Sequence, residues 1–201
     1  MNKYKTMKKI IVSLTIVGLV AFISCKEKKT ETDKVTDVVT EEVVEKVEKP
    51  SPKIVAFMLE SKNESSATGK VAFEEVDGKV NLEMYLRGLT PGIHAVHIHE
   101  KADCSSPDGK SAGGHWNPTM DKHGEWGDTE GFHKGDIGNV VADENGEGRI
   151  SMETDQWCIG CGDEKKDILG KAIIVHEGVD DFVSQPTGNA GGRVSCGGII
   201  E

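Results

Sequence analysis

From residue 53 onward, apolar and polar positions alternate over short runs separated by turn residues, the pattern of half-buried β-strands. Strands are predicted over 53–60, 70–76, 79–86, 92–100, 137–142, 149–153, 171–176 and 193–200. Asp77-Gly78 between the second and third is a strong two-residue hairpin signal, and residues 144–148 read as another turn. No 3.6-residue periodicity of useful length interrupts the pattern. Two stretches rich in turn-forming residues, 101–135 and 177–192, are long enough to require something that ties them down. The pattern predicts an all-β fold, an eight-stranded antiparallel Greek-key barrel or sandwich with two long functional loops.

The first 52 residues follow other rules. Lys3, Lys5, Lys8 and Lys9 form a basic patch ahead of an apolar run, 10–23. That run falls short of the roughly 20 residues a spanning helix needs and suits an export signal. Phe22-Ile23-Ser24-Cys25 places a cysteine just after a small residue. It resembles the lipobox of bacterial lipoproteins, with Phe a looser match than Leu, and implies a signal peptide over 1–24 and lipidation of Cys25. Residues 26–52, rich in Lys, Glu, Thr, Asp and Val and closed by Pro50-Ser51-Pro52, lack the large apolar groups needed to pack. With Cys25 they read as a charged tether, leaving 53–201 as the domain.

In the stretch Gly92–Glu100, Val96 and Ile98 point to one side of the predicted strand, and His97 and His99 to the other. Two imidazoles at that spacing can grip one metal ion, although an isolated His-x-His is more often two solvated side chains. The company decides for metal. All seven histidines fall between His94 and His176, mostly in polar, Gly-rich surroundings. His115, His123 and His133 lie in the first long loop, which ends at Asp136, and the second begins just after His176. A net charge of −10 argues against nucleic acid, whose phosphates need a basic face.

The motifs Gly92–Glu100, Ser111–Pro118, Lys134–Val140, Ile174–Glu177 and Gly188–Gly197 occur in order, and through them the domain resembles the copper/zinc superoxide dismutases. The loop Glu100–Cys104 looks more like the bacterial branch. The resemblance implies that His97, His99, His115 and His176 hold copper, and that His115, His123, His133 and Asp136 hold zinc. The chemistry agrees. Four imidazole nitrogens suit Cu(II), and three histidines with a carboxylate close a four-coordinate zinc shell. His115 would bridge both ions as an imidazolate. Asp180 matches the carboxylate that links one ligand of each ion through the far ring nitrogens; an exposed acid beside Asp181 is the other reading. His94 is left to structural hydrogen bonding.

The implied reaction converts two superoxide anions to dioxygen and hydrogen peroxide by a redox-cycling copper ion, with His115 carrying a proton. Arg193 would position the anion; Lys134 and Lys171 are possible steering charges, but an ordinary solvated lysine is the better reading of each. The five cysteines leave four once Cys25 is set aside. The resemblance pairs Cys104 with Cys196. Cys158 and Cys161 have no counterpart in the family pattern. They read as a local disulfide, with a thiolate pair that collects Cu(I) as the alternative. A non-catalytic copper- and zinc-binding lipoprotein for metal storage or delivery is the rival function, but it has no need of a bridging imidazole or of Arg193. The expected protein is therefore an exported lipoprotein of the bacterial cell envelope, facing the periplasm or the surface, held to a membrane by its lipid alone. The assembly is left open, with a homodimer allowed.

Overall fold

Asp77 and Gly78 both take positive φ, 52° and 77°, the mirror-image turn that matches strand twist and closes a two-residue hairpin. It joins two of the eight strands in the structure, a computed structural model that describes residues 51–201. The strands are β1 (Lys53–Ser61), β2 (Thr68–Val76), β3 (Lys79–Arg87), β4 (Gly92–His99), β5 (Asp136–Ala142), β6 (Gly148–Thr154), β7 (Ala172–His176) and β8 (Arg193–Gly198). They lie in the order β5-β4-β7-β8-β1-β2-β3-β6, every pair antiparallel. The outer strands β5 and β6 approach each other, so the sheet forms a nearly closed barrel. The chain passes from one half to the other between β3 and β4, returns across the seam between β5 and β6, and crosses again between β6 and β7, as the Greek-key expectation requires.

Period-two burial builds the core. Val55 and Leu59 of β1, Val71 and Phe73 of β2, and Val80, Leu82 and Met84 of β3 point inward and are buried, while their neighbours face solvent. Phe73 meets Trp157 edge-on at 6.0 Å between ring centroids. Truncating such a core aromatic costs about 3–5 kcal/mol.

β4 departs from this rule because both of its faces are covered. Val96 and Ile98 enter the main core, and the long loops bury His97 and His99 on the other side. His94 is also buried. Its ring nitrogens bond the carbonyl oxygens of His176 and Thr90, each at 2.8 Å, which fastens β4 to the end of β7.

The strand ends depart from the sequence reading by a few residues. The last strand stops at Gly198 instead of Ile200, because Ile199 turns into the core and its N–H donates to Lys171 O at 2.8 Å. A third long connection, 155–171, carries a disulfide between Cys158 and Cys161. The other disulfide, Cys104–Cys196, fastens the first long loop to β8 across 92 residues. A closure of that length contributes on the order of 4–5 kcal/mol in the chain-entropy model.

Candidate metal centre

Two clusters of four buried side chains meet on the loop-covered face of β4. One is His97, His99, His115 and His176; the other is His115, His123, His133 and Asp136, and in each the potential ligand atoms lie within 4.8 Å of one another. These are the two sets expected from the sequence, brought together around one shared residue. The bulge in the β4–β5 pairing between Val96 and His97 puts His97 opposite Asp136, so the strand that supplies the first set touches the start of the second.

Hydrogen bonds fix which ring nitrogen of each histidine faces inward. His97 Nε2 bonds Asp180 Oδ2 at 2.7 Å, and His123 Nε2 bonds Asp180 Oδ1 at 2.8 Å. Their Nδ1 atoms are left buried without a hydrogen bond. His99 Nδ1 bonds Gly113 O at 3.0 Å, which leaves Nε2 facing His176 Nε2 at 3.4 Å. His115 directs Nδ1 at Asp136 Oδ1, 3.0 Å away, while its buried Nε2 has no partner. His133 Nδ1 is likewise buried without a hydrogen bond, 3.3 Å from Asp136 Oδ1. Buried polar atoms ordinarily find partners. Here four ring nitrogens lack them, and all four belong to the two clusters. Donors on a zinc ion bound at about 2.0–2.1 Å lie about 3.3 Å apart in a tetrahedron, close to the observed spacings around Asp136. The donor sets fit the two ions.

Asp180 is buried, and its backbone N–H and carbonyl are held by the side chain of Asn139 at 2.8 and 2.9 Å. Gly188 leaves it room: a Cβ there would fall 1.8 Å from Asp180 Oδ1. Asp181 is exposed and accepts the N–H groups of Val183 and Ser184. Burial raises the Asp180 carboxyl, but bonds from His123 and His97 overcome this and hold it well below the usual carboxylate range. The same contest, with His115, His123 and His133 as donors, keeps Asp136 ionised. Burial pulls His123 down, yet Asp136 and Asp180 together raise it to about 9. Burial dominates at His115, lowered to about 4, and at His99 and His176, both well below the ordinary histidine value.

Arg193 opens β8 beside the first set. Its guanidinium donates to Gly109 O at 2.8 Å and to Gly113 O at 2.7 Å. Gly113 O also accepts from His99, so a single carbonyl ties the cation to the histidine cluster. A cavity of about 340 Å3 opens here, lined by His99, His176, Arg193, Asn63, Lys110 and Thr187 among others.

The family model described as copper/zinc superoxide dismutase matches residues 67–199. The chain belongs to this family. It is 38% identical over 140 residues to "Superoxide dismutase [Cu-Zn] 2" of Aquifex aeolicus, covering 68% of this chain and 81% of that one. It is 37% identical over 134 residues to "Superoxide dismutase [Cu-Zn]" of Caulobacter vibrioides, covering 65% and 77%. Among solved structures, the clock protein EA4 superposes with a TM-score of 0.63 at 40% identity, covering 75% of this chain and 96% of that one. The cofactors of this superoxide dismutase are copper and zinc, and its two disulfides fit an exported protein.

Two lysines named as possible steering charges stand away from the Arg193 cavity. Lys134 bonds Gln156, and Lys171 lies 5.9 Å from the Trp116 ring; neither lines the Arg193 cavity. Lys110 does, and with Asn63 and Thr187 it escaped sequence reasoning. Proximity of Lys110 to the matched Ser111–Pro118 motif was the only available signal for it.

Proposed function

We propose that His97, His99, His115 and His176 hold copper, that His115, His123, His133 and Asp136 hold zinc, and that Arg193 receives superoxide at the mouth. The chain is a superoxide dismutase, converting two superoxide anions and two protons to dioxygen and hydrogen peroxide. The observation that carries the residue assignment is His115, which presents Nδ1 to one cluster and an unpartnered, buried Nε2 to the other. When bound, copper supplies a one-electron redox couple, and zinc a fixed positive charge. The chain does the rest. Arg193, anchored on Gly109 and Gly113, offers a permanent cation and a fixed fork of donors to a small anion. His115 Nε2 takes up a proton and returns it to the departing peroxide, while Asp136 keeps Nδ1 in place. Asp180 orients His97 and His123. The burial that holds His99 and His176 neutral at working pH keeps their Nε2 atoms available as ligands.

The test is superoxide disproportionation by residues 51–201 loaded with both metals, beside a His97→Ala variant and free copper. Fast, copper-dependent decay abolished in the variant is expected. Tight binding of both metals without activity above free copper would transfer the chain to the storage or delivery reading.

The N-terminal reading extends the function to a place. Signal peptide 1–24, lipid anchor Cys25 and tether 26–52 lie mainly outside the described residues. They make the protein a membrane-anchored lipoprotein of the cell envelope. Incorporation of a clickable palmitate analogue into the full chain, lost in Cys25→Ser, is the expected result; labelling that survives the substitution would remove the anchor. Light scattering of the domain decides between monomer and homodimer.

A further inference from the structure

The connection 155–171 takes no part in either metal cluster, yet it holds a cysteine pair in circumstances opposite to those of the first disulfide. Cys196 is fully buried and its bond to Cys104 closes 92 residues. Cys161 is exposed, Cys158 is 7% exposed behind it, and their bond closes a separation of 3. So short a closure restrains the unfolded chain little. Other contacts shape this loop. Cys158 N–H donates to Lys166 O at 2.9 Å, and Ile168 N–H to Cys158 O at 3.1 Å. The Asp167 carboxylate accepts the N–H groups of Gly160, Gly162 and Leu169 at 2.9, 2.9 and 3.1 Å. Ile159 N–H donates to Glu75 at 2.8 Å, and Trp157, Ile159 and Ile168 are buried in the main core. None of these contacts involves either sulfur, so the loop is held by bonds other than the disulfide.

We propose that Cys158–Cys161 is a thiol–disulfide exchange site whose substrates are dithiols. A thiolate of the donor attacks the exposed Cys161 sulfur, the intramolecular S–S bond breaks, and Cys158 departs as a thiolate and takes a proton. The donor's second thiol, as thiolate, then attacks its own sulfur in the mixed disulfide, and Cys161 leaves and is protonated. Two electrons and two protons pass from donor to pair, and the donor departs as a disulfide. A disulfide acceptor runs the sequence backward. Trp157, next to the pair, is also held independently of it: Nε1 donates to Lys134 O at 2.8 Å, and the ring meets Trp126 at 5.1 Å.

The test titrates the full-length, metal-loaded protein with dithiothreitol, followed by alkylation and peptide mass spectrometry. Cys158 and Cys161 are expected to convert to thiols at a reductant concentration at least about tenfold below that needed for Cys104 and Cys196. Reduction of both pairs together, or of neither before unfolding, would overturn the proposal. Single-cysteine variants read the direction of attack. The free Cys161 of Cys158→Ser should react with dithiobis(nitrobenzoate) at least about tenfold faster than the free Cys158 of Cys161→Ser; equal rates or the reverse order would reject it. Reduction by a thioredoxin-type protein dithiol, compared with dithiothreitol at equal thiol concentration, separates the two sources. A faster protein donor assigns a protein partner, and a faster small donor a small dithiol.

Discussion

The two metal clusters share an imidazole but are built from different material. Three residues of the first stand on strands: His97 and His99 pair across the ladder with Ile174 and Ala172, and His176 pairs with Arg193. The second takes His115, His123 and His133 from a single loop and Asp136 from the first position of β5. Sheet hydrogen bonds place the strand-borne ligands before any ion arrives. The loop-borne ligands are placed partly by each other, with the Asp136 oxygens 3.0, 2.9 and 3.3 Å from the facing nitrogens of His115, His123 and His133, and partly by backbone bonds to β4 such as Trp116 N–H to Ile98 O at 2.8 Å. A rigid site suits a cation that must react, and a cross-linked loop suits one that must hold structure.

The strongest way to break this contrast is to remove the shared group. His115→Ala should loosen both metals and lower dismutation by more than about 1000-fold, roughly 4 kcal/mol of transition-state stabilisation. His133→Ala should loosen zinc and largely spare copper. Metal analysis after dialysis, with superoxide decay on the same samples, distinguishes them, and matched copper loss in the two variants would remove the distinction between sites.

Acid sharpens it in the metal-free domain. His115, His99 and His176 are held below their unfolded value of about 6.5, His115 at about 4. The stability they contribute is complete above pH 6.5 and disappears as pH falls through the folded values; for His115 alone it is on the order of 3 kcal/mol. His123, raised to about 9, works in the other direction, and its contribution is lost as pH rises through 9. Calorimetry of the metal-free domain should therefore find the highest melting temperature near neutrality, with a clear fall by pH 4.5. A flat profile across that range would contradict the assigned shifts.

Selective zinc removal should act on the loop and not on the strands. Amide exchange in 117–135 is expected to rise by about 100-fold, equivalent to about 2.7 kcal/mol of opening free energy, with β4 and β7 unchanged. Equal acceleration in β4 would mean that the first cluster also depends on zinc. The smallest effect should come from Asp180→Asn, which weakens the grip on His97 and His123 together. About a tenfold loss of affinity for each metal is expected, and loss confined to one metal would show a one-sided role.

Much of this was legible in the chain. Alternation and Asp77-Gly78 announced the strands, and the clustering of histidines announced metal, because both depend on sequence-local spacing. What spacing cannot convey is direction across the fold. Asp180 and Asp181 read alike in sequence, and only the approach of Gly188 and the Asn139 clasp turn one under the imidazoles and leave the other in solvent. Likewise, Lys134 and Lys171 lie in or beside matched motifs, but their side chains contact Gln156 and Trp116, and the cations at the mouth are Arg193 and Lys110, the latter paired with Asp108 at 3.0 Å.

The course of β1 carries one more consequence. At its start Lys53 Nζ donates to Ile159 O at 2.6 Å. Just past its end, Lys62 N–H donates to Val194 O and Asn63 Nδ2 to Arg193 O. Nine residues at about 3.3 Å each put about 26 Å between those two poles. Residue 51, where the described chain starts, therefore lies near the pole of the barrel remote from the mouth, and β1 spans the distance between the two.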